Sequence, residues 1–148
     1  MKRRFTAGWT ALALAGLASW GGPAAALSAR WPQVQRQGTV AYVTGGIGRT
    51  EARLFERRMS SYPLAIELLE HAGRAEAFTG AADVTIADAR GRTVLDARAG
   101  GPFMLVDLPS GRYSIVATLG HARLKKSTIF VRQGTLARAT FEFPSHTD

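Results

Sequence analysis

A chain of 148 residues, 46% hydrophobic and 20% charged, is long enough for one domain and too apolar to be disordered. It has no cysteine, which excludes a disulfide frame, a lipoprotein anchor, thiolate metal ligation and thiol catalysis. Nineteen Lys and Arg against eleven Asp and Glu give +8, but the cations are scattered rather than blocked, which makes a poor nucleic-acid surface.

The first 26 residues have the three parts of an export signal. Lys2, Arg3 and Arg4 form a basic start, and Ala7 to Trp20 is an apolar run. Gly21-Gly22-Pro23 breaks that run, and Ala24-Ala25-Ala26 offers small residues to a peptidase. The run ends short of the roughly 20 apolar residues a spanning helix needs, so no stable membrane insertion is expected after cleavage. A twin-arginine route fits less well, because Thr6 and Ala7 are weak hydrophobic followers of the Arg pair. Export places the protein in the periplasm or outside the cell. Losing three basic residues leaves sixteen cations against eleven acids, or +5.

Residues 27–38 form a linker or a first edge segment, with Trp31 as the one tryptophan left after cleavage. Thr39 to Val43 predicts a strand, followed by Gly45-Gly46-Ile47-Gly48. Residues 50–60 predict a helix, with Thr50 as its cap and Glu51 at the positive end of its dipole. Its apolar stripe is Leu54, Phe55 and Met59. A strand, a glycine loop and a helix resemble a phosphate cradle in outline. The loop matches neither G-x-x-x-x-G-K-[ST] nor G-x-G-x-x-G, so a turn with positive φ is the better reading. In 60–70, Leu64, Ile66 and Leu68 alternate as in a strand; Pro63 could instead start a helix, and the strand is favoured. Residues 71–81 carry Gly73 and Gly80 and predict a loop, with Phe78 tucked inward.

From Asp83 the pattern predicts hairpins, with strands at 82–88, 92–98, 102–108, 112–119, 122–131 and 135–143. Gly91, Gly111 and Gly134 each close an apolar run. Pro109-Ser110-Gly111 fits a three-residue hairpin loop, with Gly111 in the left-handed region. Beyond it Tyr113, Ile115, Ala117 and Leu119 share one face. Tyr113 is the aromatic anchor, its ring in the core and its hydroxyl bonded to nearby backbone. Short strands at this spacing argue for a mainly all-β, antiparallel sandwich over 39–143, with one inserted helix and a tail at 144–148.

Three pieces together resemble the carboxypeptidase regulatory-like domain: Val84 to Asp88 with Gly91, Gly101 to Leu105, and Leu108-Pro109-Ser110-Gly111-Arg112-Tyr113. The resemblance covers about residues 80–143. It implies a transthyretin-like (prealbumin-like) sandwich that serves as an accessory module of the cell envelope and has no catalytic residues to carry over. The peptidase zinc motif H-x-x-E is absent, since none of His71, His121 and His146 has a Glu three places on.

The remaining chemistry is sparse. The histidines are too dispersed for a metal site, and Asp83, Asp88 and Asp96 do not have calcium-loop spacing. Asp88 suits its turn, and Ser110 lacks G-x-S-x-G. No cofactor is expected. Arg123, Lys125 and Lys126 form the best basic patch, with Arg123 and Lys125 on one face. Such a patch either guards an edge strand or makes a contact surface. The expected function is a non-enzymatic module that binds an envelope protein. The alternative is a binder of polyanionic or carbohydrate ligands.

Overall fold

Two kinds of strand build this molecule, and burial separates them. β2 (Val40–Gly45) and β7 (Phe103–Asp107) are buried at almost every position, whereas β8 (Gly111–Leu119) alternates buried and partly exposed residues. A strand buried on both faces needs cover on both sides, while an alternating strand has one face toward water. The computed structural model describes residues 30–72, 75–78, 82–145 and 147. The expected signal peptide (1–26), the inward placement of Phe78 and His146 lie outside the described residues.

The other elements are β1 (Gln35–Gln37), α1 (Arg49–Arg58), a 3₁₀ turn (Met59–Ser61), β3 (Leu64–Ala72), β4 (Ala75–Phe78), β5 (Asp83–Asp88), β6 (Thr93–Arg98), β9 (Ala122–Val131) and β10 (Ala137–Phe143). They form an all-β sandwich with one helix. The first sheet runs β1-β2-β7-β3-β10, with β4 also on β3, and the second runs β6-β5-β8-β9. Between the sheets, Leu64, Ile66, Leu68, Met104, Val106 and Phe141 meet Val84, Ile86, Leu95, Ile115 and Ala117. Each of these side chains except Ala117, fully buried, contributes about 1.5–3 kcal/mol.

A second cluster lies on the far face of the first sheet. There Phe55 and Met59 pack on Val43, Ala65, Phe103 and Leu105, joined by Trp31 and Tyr62. The Trp31 and Phe55 rings are 4.8 Å apart, and the Arg58 guanidinium stacks over Trp31 at 4.7 Å. A ten-residue helix is too short to hold alone, so this packing stabilises it. The strand reading of 64–70 holds, and within the segment before residue 39 Gln35–Gln37 forms the edge strand β1.

Several details of the chain's path differ from those expectations. Residues 108–111 do not close a hairpin, because β7 lies in the first sheet and β8 in the second. The Arg132–Thr135 turn also crosses between sheets. Only β5–β6 and β8–β9 are hairpins among the strands from Asp83 onward. The reason is the burial of β7: its Phe103, Met104, Leu105 and Val106 need cover on both faces, which the helix-covered sheet supplies. Gly111 is not in the left-handed region; its missing side chain makes room for the Tyr113 ring, 3.3 Å from where a Cβ would sit. The sandwich also has one parallel pair, β3 with β10. Residues 71–81 are not all loop. β3 pairs with β7 only as far as Glu67, and β4 takes up the same edge from Leu69. Finally, Gly48 rather than Thr50 is the helix N-cap, and no side chain caps it.

Candidate functional site

At the β5–β6 hairpin, Asp88 Oδ1 accepts from the Arg90 and Arg92 amides at 2.9 and 3.0 Å, and Arg92 Nε donates to Oδ2 at 3.0 Å. These donors, the Arg92 amide foremost, hold the Asp88 carboxyl below its ordinary value. Gly91 completes the turn at φ +78.

The two crossover corners lie side by side. The Tyr113 hydroxyl donates to the Pro109 carbonyl at 2.8 Å. Its partial burial raises the phenol's pKa, and the Asp88 carboxylate adds to the rise. Gln133 bridges the corners: its side-chain amide donates to the Leu108 carbonyl at 2.8 Å, and its backbone amide to Ser110 Oγ at 3.1 Å. Gly134 turns the second corner at φ +76. Pro109, Ser110, Gly111, Tyr113 and Gly134 thus position strands.

The basic patch stands on β9, the edge of the second sheet. Arg123 and Lys125 pair with Thr118 and Val116 and share the outer face, while Leu124 lies opposite inward-facing Ala117. Lys126 differs. It pairs with Ile115 on the inward side, and its ammonium lies over the Phe141 ring at 5.6 Å. A bulge follows: Ile115 pairs with Lys126 but Tyr113 with Ile129, so β9 holds an extra residue there. Beyond the bulge Phe130, 62% exposed, pairs with Arg112 on the outer face.

Charge divides that outer face. On the β5–β6 side Arg98 meets Asp83 at 3.6 Å, and Thr85 Oγ1 donates to Asp96 at 3.1 Å. On the β8–β9 side Arg112, Arg123 and Lys125 are exposed and have no carboxylate partner among the described residues. The three β9 cations stand out in the sequence, whereas Arg112 and Phe130 join them only in the folded sheet. The usable signal was Ser127-Thr128, a polar pair that interrupts the alternation and resets the face on which Phe130 lies.

The second region is the Gly45–Gly48 loop. Its glycines allow close packing and positive φ. A Cβ on Gly46 would lie 2.4 Å from the Phe103 ring, and one on Gly45 2.5 Å from Glu51 Oε1. A Cβ on neighbouring Gly101 would lie 2.2 Å from the Gly45 carbonyl oxygen. This loop, one flank of α1 and Pro102 enclose a cleft of about 670 Å³. The strand, glycine loop and helix stood out in the sequence only as the outline of a phosphate cradle; the apolar wall from Pro102 comes from a distant part of the chain. Among the described residues, no group of three or more His, Cys, Asp or Glu could hold a metal, and no helix is long and apolar enough to cross a membrane. Comparisons with family models, curated proteins and solved structures find no match.

Proposed function

We propose that this chain is a non-enzymatic, exported accessory module that binds a protein of the cell envelope through β9 and the outer face beside it. The observation that carries the reading is the state of β9: a ten-residue strand paired on one side only, beside unpaired cations and a bare Phe130. An open strand of this kind accepts an added strand, with main-chain bonds giving affinity and alternate side chains giving specificity. Arg112, Arg123 and Lys125 favour an acidic partner segment. They also oppose pairing of β9 with a second copy, and Lys126 and the bulge disfavour indiscriminate strand addition. The resemblance to the carboxypeptidase regulatory-like, transthyretin-like domain supports an accessory role. The signal pattern in residues 1–26 supports a periplasmic or secreted address.

The free cations also favour a second reading, in which the same face binds a polyanionic or carbohydrate envelope polymer. Cross-linking in intact cells separates the two. A discrete protein adduct, lost in Arg123→Glu/Lys125→Glu/Lys126→Glu, supports the module. Retention on envelope polymer that salt releases supports the second reading and removes the first.

A further inference from the structure

The cleft beside the glycine loop has a chemistry that turning the chain does not require. Ile47 is held 69% exposed by a loop whose neighbours Gly45 and Gly46 are packed down on Phe55 and Phe103. Ala52 and Pro102 continue the apolar lining. Arg49 and Arg53 complete it, four residues apart on α1 and therefore on one flank of the helix. Neither arginine has a carboxylate partner among the described residues, whereas Arg58 of the same helix is engaged on Trp31. Glu56 also lines the cleft and forms no ion pair among the described residues.

We infer that this cleft binds a small amphipathic anion, with an aliphatic body on Ile47, Ala52 and Pro102 and a carboxylate or phosphate head between Arg49 and Arg53. The volume of about 670 Å³ suits such a ligand. The apolar lining disfavours a fully hydrated inorganic anion, and the two unpaired guanidinium groups disfavour a neutral or cationic amphiphile. The loop is fixed by its own packing, so little ordering cost falls on binding. The site is separate from β9 and does not depend on the proposed role of that strand.

The test is a titration of the full chain with dodecanoate, dodecyl phosphate and the neutral dodecyl maltoside, all below micelle formation, with acetate and inorganic phosphate as heads without bodies. NMR read residue by residue separates binding here from binding to the apolar N-terminal run. Either anionic amphiphile should shift Gly46, Ile47, Gly48 and Ala52 at concentrations at least about tenfold below the maltoside. The tighter of the two names the head group. Arg49→Glu/Arg53→Glu and, separately, Ile47→Asp should each weaken binding about tenfold or more. A glutamate at 49 suits the helix dipole and one at 53 stands four residues before Arg57, so an unchanged melting temperature reports an intact fold. Arg123→Glu/Lys125→Glu should leave the titration unchanged. The inference is overturned by equal binding of maltoside, by shifts that avoid the cleft, or by Arg49→Glu/Arg53→Glu binding as the parent does.

Discussion

On the first sheet α1 and the 3₁₀ turn after it lay Phe55 and Met59 over Val43, Phe103 and Leu105, and Trp31 stacks on Phe55. On the second sheet the outward positions of β8 and β9 carry Arg112, Val116, Thr118, Arg123, Lys125 and Phe130, none of them buried. The difference teaches where each sheet's residues are spent. The covered face uses its side chains for stability and leaves strands with no alternation. The bare face contributes little to the core, and its composition is free to answer to a partner.

The sharpest break of that comparison is truncation on each face. Phe55→Ala should cost about 3–5 kcal/mol in denaturant unfolding, because a fully buried ring leaves a cavity under the helix. Val116→Ala, on the bare face, should cost less than about 1 kcal/mol. Similar costs at the two positions would erase the distinction. Gly101→Ala comes next. Its Cβ would meet the Gly45 backbone at 2.2 Å, which cannot swing aside as a side-chain end can. A loss of about 1–3 kcal/mol is expected by the same measurement.

A smaller effect belongs to the corner between the sheets. Tyr113→Phe removes the 2.8 Å bond to the Pro109 carbonyl and should cost about 1 kcal/mol in unfolding experiments. The smallest effect depends on pH. Asp88 is depressed in the folded chain, so its contribution is complete above the ordinary value of 3.8 and is lost as pH falls through the lower folded value. Acid titrations of thermal stability should therefore fall less steeply below that pH for Asp88→Asn than for the parent chain.

These contrasts also explain what the sequence allowed to be read. The β8 alternation of Tyr113, Ile115, Ala117 and Leu119 was legible because one face meets water. Asp88 and Gly91 were legible because turn chemistry is local. The route of the chain after Leu108 was not, since proline and glycine serve a hairpin and a sheet-to-sheet corner equally well. The run Phe103 to Val106 held the missing clue, an apolar stretch without alternation, which belongs in a sheet covered on both sides. Of the candidate surface, Arg123, Lys125 and Lys126 were visible on one strand. Their division between outer and inner faces depends on pairing with β8, and Arg112 joins them only through the register. At Ile47 the glycine loop and helix were legible, but the cleft was not, because Pro102 reaches it from the lead-in to β7.

Site-resolved photo-cross-linking in intact cells tests the central contrast most directly, with the reactive side chain placed at Lys125 on β9 and, in parallel, at Arg98 on β6 of the same sheet. The account predicts a discrete protein adduct from position 125 and none from position 98. Equal yields from both positions, or no protein adduct from 125, would contradict it.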